Sequence, residues 1–250
     1  MDSELNPPLF LNQIQIDEVF SHKYLGVVFS ANLRWKEHID EIAIKARKRL
    51  NLMLPLKMKV DRKSIEIMYV SFVLPCMEYA SVVWGGLPDC DISRLEKIHT
   101  DALRLISGAS ARSNTINVFI ECDAITLHER MEQASLIMLF KIIKGKAPQY
   151  LIEIHDDIQN KANYSYSLRN ATKLRTPYCR LESFKNSFFP RVLHSWNKLS
   201  RDTRLLDTVD RFKTSLNKPH NLEKYNFKQI LYYYGKRWAS VHHARMRIAS

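Results

Sequence analysis

The side chains whose type and spacing could do chemistry are cations. Arg34, Lys45, Arg47, Lys48, Arg49, Lys57, Lys59, Arg62 and Lys63 crowd into one stretch, and residues 34–63 carry ten Lys and Arg against four Asp and Glu. Ammonium and guanidinium groups at this density neutralise phosphates and release the counterions condensed on them. The chemistry they offer is binding of a nucleic-acid backbone without regard to sequence. A solvated helix face would carry the same residues and is the alternative. The whole chain leans the same way: 250 residues hold a formal charge of +12, with a pI near 9.5. Such an excess attracts polyanions, nucleic acid first and anionic membrane surfaces second.

Other reactive types are present but do not assemble. His22, His38, His128, His155 and His194 are single and dispersed, and no Ser, Cys or Asp stands beside one in a known nucleophile motif. Cys76, Cys90, Cys122 and Cys179 form no C-x-x-C pair and read as buried free thiols of a reducing compartment rather than a zinc site or disulfides. No cofactor, metal site or small-molecule substrate is expected. The start of the chain lacks the order of a signal peptide. The longest apolar run, residues 70–87, is interrupted by Pro75 and Glu78 and is too short for a membrane span. A soluble intracellular protein of nucleus or cytoplasm, without a membrane partner, is the expectation.

The cations must be positioned by helices. Over residues 36–56 the apolar side chains Ile39, Ile42, Ala46, Leu50 and Met53 recur three and four apart, leaving the basic ones opposite. Asp61 is a candidate N-cap for a second, almost wholly buried helix to about residue 84, kinked at Pro75. A third helix spans about 91–107 and stops at Gly108, with His99 on its surface or flank. Thr126-Leu127-His128-Glu129 is a capping box opening a helix that ends at Gly145. Residues 158–176 are polar and read as a linker, and Asp156-Asp157 is assigned to polar linker sequence too. Beyond it, helical signals cover 188–199, 208–216 and 222–234, with Trp196 a core residue. Tyr232-Tyr233-Tyr234 with Lys236, Arg237 and Trp238 interleaves aromatics and cations in a way that could stack on bases. Upstream, alternation around Ile14 to Val19 and Tyr24 to Phe29 predicts two short strands joined about residues 17–22, after a tail over 1–11. The fold expected is mainly α: a helical bundle with a small N-terminal β-hairpin and a looser helical C-terminal region.

The joint between hairpin and basic helix reads Tyr24-Leu25-Gly26-Val27, then Leu33, Trp35, His38 and Ile39. It closely resembles the reverse transcriptases of LINE-type, jockey-like non-long-terminal-repeat retrotransposons, where Y-L-G-V followed by L-x-W-x-x-H-I closes the palm and opens the helical thumb. Ser187-Phe188-Phe189-Pro190-Arg191 with Trp196-Asn197-Lys198-Leu199 is similar to the family's segment downstream of the thumb. His243-Ala244-Arg245-Met246-Arg247 is similar to the lead-in to its cysteine/histidine knuckle. Ser200 departs from the proline usual after W-N-x-L.

The resemblance implies an RNA-directed DNA polymerase, whose two-metal chemistry uses palm aspartates, one set in a Y/F-x-D-D string. No such string occurs here. The expectation is a fragment without the catalytic palm: a palm-end hairpin over 1–30, a thumb-like bundle over 31–157, the linker 158–176 and a C-terminal helical region over 177–250. Its partner would be nucleic acid, RNA or RNA–DNA duplex, held mostly by phosphates. Tyr24, Leu25 and Gly26 would form a primer grip, in which the glycine either lets a strand approach or relieves packing. The competing readings are a helical module that binds an acidic protein and a retroelement remnant without function.

Overall fold

A computed structural model describes residues 8–160 and 173–216. The expected C-terminal features at 222–234, 232–238 and 243–247 lie outside the described residues. What is described is mainly helical, with strands only near the amino end, in agreement with the fold class expected from the sequence.

The strands differ in detail from that expectation. Strands β1 (Leu9–Leu11) and β2 (Ile14–Ile16) pair antiparallel, and so do β3 (Ser21–Tyr24) and β4 (Val27–Ser30). There are two hairpins where one was expected, and residues 17–20 connect them. Each turns on two residues of positive φ, Asn12 (51°) with Gln13 (68°) and Leu25 (45°) with Gly26 (81°). Paired positive φ values are the mark of a type I′ turn, whose twist matches that of its strands. Tyr24 to Phe29 is therefore not one strand: Leu25-Gly26 is its turn.

Helix α1 (Lys36–Met53) buries Ile39, Ile42, Ala43, Ala46, Leu50 and Met53 along one stripe, as the spacing requires. A 3-10 turn over Leu54–Leu56 ends it. Asp61 then caps α2 (Arg62–Met68), accepting the Ser64 amide at 3.2 Å. The single long helix expected to residue 84 is broken instead. The chain passes through a π-helical turn (Tyr69–Val73), α3 (Leu74–Glu78), a left-handed residue at Ala80 (φ 53°) and α4 (Ser81–Trp84). The distortion at Pro75 lies upstream of it, where the missing amide and the ring crowding act on the preceding turn. The break at Tyr79-Ala80 is held by Trp84, whose Nε1–H donates to the Tyr79 carbonyl at 2.8 Å. Burial is correspondingly one-sided: Ile65, Tyr69, Val73 and Met77 are inside, while Phe72, Tyr79 and Val83 are exposed.

Helix α5 (Asp89–Ser107) ends at Gly108, φ 73°. A short helix not foreseen, α6 (Thr115–Glu121), follows with Asn114 as its cap. Helix α7 (Leu127–Ile143) opens with the complete capping box of Thr126 and Glu129. Next comes α8 (Gln149–Asn160), which takes up Asp156-Asp157, so that pair is helical rather than in a linker. The short α9 (Glu182–Lys185), α10 (Phe188–Lys198), α11 (Arg201–Arg204) and α12 (Val209–Leu216) complete the order.

Two apolar clusters result. The first gathers β4, α1, the α2–α4 segment, α5 and α6 around Ile39, Val73, Trp84 and Leu95, and includes Leu127 and Met131 of α7. The second is built on the other half of α7, where Leu139 and Phe140 meet Leu193, Trp196 and Phe212. Trp196 is a core residue, as expected. Gly86 lies where the two regions touch, since a Cβ there would stand 2.0 Å from the Asn186 carbonyl oxygen. Backbone cannot yield as a flexible side chain does. Gly86→Ala is expected to cost about 1–3 kcal/mol by overpacking, read as a lowered urea midpoint; an unchanged midpoint would show that this approach is not a constraint.

Two sequence expectations fail on burial. His99 is 2% exposed and not on a flank. Its Nδ1 accepts from the Tyr69 hydroxyl and its Nε2–H donates to the Ile125 carbonyl at 3.0 Å. That burial pushes its pKa down to about 4. The cysteines are free but not buried: Cys90 is exposed and Cys76, Cys122 and Cys179 are half-buried.

Candidate nucleic-acid interface

The sequence-predicted cations divide into two sets. Arg47 pairs with Asp101 of α5 at 2.7 Å. Arg49 lies over the Phe72 ring, 4.6 Å from its centroid, and donates to the Phe72 carbonyl in the distorted turn before Pro75. Arg62 holds Glu121 of α6 through its carboxylate at 3.0 Å and its carbonyl at 2.9 Å. These three tie helices together. Arg34, Lys45, Lys48, Lys57, Lys59 and Lys63 are exposed, and their side chains make no ion pair among the described residues.

Their placement follows from the helix period. Lys45 and Lys48 share the outer face of α1 opposite its buried stripe, Arg34 precedes the helix, and Lys57, Lys59 and Lys63 cluster at the turn after it. At about 1.5 Å of rise per residue, α1 sets these two ends on the order of 27 Å apart. Glu41 lies on the same outer face but is taken by Lys23 of β3, which removes one acid from the strip. Between the lysines stand Leu52 (68% exposed), Leu54 (51%) and Met58 (90%), so the surface is basic and apolar by turns.

The hairpin tip is built into the bundle. Tyr79, beside the helix break, donates its hydroxyl to the Leu25 carbonyl at 2.9 Å, and a Cβ on Gly26 would meet its ring at 3.3 Å. Gly26 is favoured by its left-handed φ of 81° and by the closeness of the Tyr79 ring, while Tyr24 and Leu25 are exposed beside it. At the hairpin root, Trp35 meets Phe29 at 5.5 Å between ring centroids. His38 is buried against Trp84 at 5.5 Å, and its Nδ1 accepts the Val28 amide at 3.3 Å. That bond requires a neutral ring at Nδ1, and burial keeps the pKa of His38 below the ordinary value. The spacing of Trp35, His38 and Ile39 is the spacing of a joint: Ile39 enters the core while the two rings clasp β4.

The described residues contain no group of three His, Cys, Asp or Glu placed to hold a metal ion. Asp156 Oδ1 lies 3.0 Å from His155 Nδ1 on α8. No helix among the described residues is long and apolar enough to cross a membrane.

No family model matches the chain, and no solved structure matches it. Two curated proteins are similar. Over 159 residues the chain is 23% identical to a probable RNA-directed DNA polymerase from the transposon X-element of Drosophila melanogaster, a match covering 58% of this chain and 18% of that protein. Over 120 residues it is 28% identical to the RNA-directed DNA polymerase from the mobile element jockey of Drosophila funebris, covering 47% of this chain and 13% of that protein. The chain thus spans less than a fifth of the length of these relatives. It is related, over about half its own length, to the reverse transcriptases of LINE-type, jockey-like non-long-terminal-repeat retrotransposons.

Proposed function

We propose that this chain holds nucleic acid for a reverse transcriptase of this type and does not itself carry the polymerase chemistry. The observation that carries the reading is the split among the cations. Six stay exposed along α1 and its turn, without ion pairs among the described residues, where surplus positive charge has no internal use. An RNA–DNA primer-template duplex, or the template RNA, would lie along this strip. Contacts would go to phosphates and sugars, because a polymerase accepts every sequence. Tyr24, Leu25 and Gly26 at the hairpin tip would meet the primer strand as a grip.

The test is binding of a labelled RNA–DNA hybrid across a salt series. Lys45→Ala with Lys48→Ala is expected to lessen the slope of log affinity against log salt by about 2, one for each phosphate that is no longer neutralised. Arg47→Ala is expected to lower stability and leave the slope alone. A double variant that binds with the parent's slope would sink the reading.

The exposed Leu52, Leu54 and Met58 among lysines favour a second reading, an acidic amphipathic protein segment as partner. Heparin would displace nucleic acid completely in the first case. It would leave binding through the apolar side chains largely intact in the second.

A further inference from the structure

A cavity of about 510 Å³ opens between α7, α10 and the segment 176–179, away from the strip on α1. That volume lies within the range of small-molecule sites, roughly 300–1,000 Å³. Its apolar lining comprises Met131, Pro190 and Val192, which are buried, together with the half-buried Pro177 and with Tyr178, which is 87% exposed. Three permanent cations line it, Arg191, Lys185 and Lys198, and His128 and His194 add two imidazoles. The one carboxylate among the lining residues, Glu132, already accepts the Ser195 hydroxyl at 2.5 Å. Lys185 also meets Glu182 at 3.6 Å, an exposed pair of the kind that contributes little and yields to a better anion.

Arg191 is the fixed element. Its Nη1 donates to Ser135 at 3.3 Å and its Nη2 to the Val82 carbonyl at 3.2 Å. These bonds hold the guanidinium plane in place, and its buried Nε has no hydrogen-bond partner. A guanidinium set in this way, with exposed ammonium groups and the Tyr178 ring beside it, suits a ligand that carries a compact, multiply accepting anion on an apolar ring. We propose that this cavity binds a nucleotide, with its phosphate toward Arg191, Lys185 and Lys198 and its base against Pro177 and Tyr178. The ligand's source is either a free mononucleotide or one residue of a single strand. The site is separate from the strip on α1 and does not depend on the duplex reading.

The experiment titrates the whole chain with AMP and with a short oligothymidylate, following the ring resonances of His128 and His194 and the binding heat. Both rings should shift on saturation. Lys185→Glu with Lys198→Glu, both exposed at the mouth, should weaken binding about tenfold or more, whereas Lys45→Ala with Lys48→Ala should leave AMP binding unchanged. Read from the ring shifts in the Lys45→Ala with Lys48→Ala background, tighter binding of AMP than of oligothymidylate identifies a free nucleotide; the reverse order identifies a strand residue. The proposal is overturned if neither probe moves the two rings at millimolar concentration, or if the mouth variant binds as the parent does. Because the rings report on the unaltered protein, a variant that failed to fold would leave the test decisive. Hybrid binding that survives such a failure would leave the strip on α1 standing.

Discussion

Phe140→Ala is expected to destabilise the protein by about 3–5 kcal/mol, the cost of removing a large buried aromatic ring and leaving its cavity. The side chain is 0% exposed. It stacks on Phe212 at 4.4 Å and leans on Trp196 at 6.4 Å, so the ring on which α7, α10 and α12 converge would be gone. The damage should be uneven. Leu127 and Met131, earlier on the same helix, remain in the first cluster with α1 and α5, to which Phe140 does not belong. Limited proteolysis of the variant should therefore cut within residues 173–216 before it cuts within 36–107, and the urea midpoint should fall. A change below about 1 kcal/mol, well under the usual cost of such a truncation, would mean that the second cluster does not depend on this ring.

Raising the pH from 6.5 to 8 is expected to cost about 2 kcal/mol of stability through Glu96 alone. Burial pushes this carboxyl up to about 8, against the opposing pull of the Leu127 and His128 amides at the start of α7. Its Oε2 accepts the Leu127 amide at 2.9 Å. The unfolded carboxyl ionises near 4.5, so across this window the folded state holds a proton that the unfolded state has lost. Stability from this group is complete below the unfolded value and declines by about 1.4 kcal/mol per pH unit until the folded group ionises. Glu129, raised to about 7 by its own burial, acts in the same direction over the lower part of the window. His99, pushed down to about 4, acts oppositely: its contribution is lost as pH falls from 6.5 toward 4, as the unfolded ring takes up a proton first. Between 4.5 and 6.5 the gain from His99 opposes the decline from the two carboxyls, and above 6.5 the decline is unopposed by His99. Glu96→Gln, which keeps an acceptor for the Leu127 amide, should flatten the melting temperature across the same rise in pH. An equally steep decline in that variant would remove Glu96 as its cause.

What could be read in advance depended on the range of the interaction. The Asp61 cap, the capping box of Thr126 and Glu129, the stop at Gly108 and the apolar stripe of α1 are set by residues within a turn of one another, and each stands where its spacing puts it. His99 defies placement from its neighbours because its partners, Tyr69 and Ile125, are 30 and 26 residues away in sequence. Nothing in the neighbourhood of α5 announces them. The same holds for the cations. Arg47, Arg49 and Arg62 look like Lys45 and Lys48 in sequence, and only the partners Asp101, Phe72 and Glu121, 54, 23 and 59 residues distant, engage them internally. The break after α3 is equally hidden, since Pro75 draws attention upstream while the left-handed turn at Ala80 is fixed by Trp84 and the core around it. Gly26 carries a readable sign. A Tyr-Leu-Gly-Val string between alternating apolar residues fits a two-residue hairpin turn, a signal outweighed by the apolar run that follows it.

Tyr79 fastens the tip of the second hairpin at Leu25, and the Trp35 and His38 rings fasten its root at Phe29 and Val28. A ribbon secured at both ends has no hinge of its own. It turns with the helices as a spoke turns with its hub, so a load applied at the tip is felt at α1 without slack. Under the function proposed above, a strand at the tip and a duplex along α1 would share a single frame, and their spacing would be a constant of the molecule rather than something reset at each step of movement along the template.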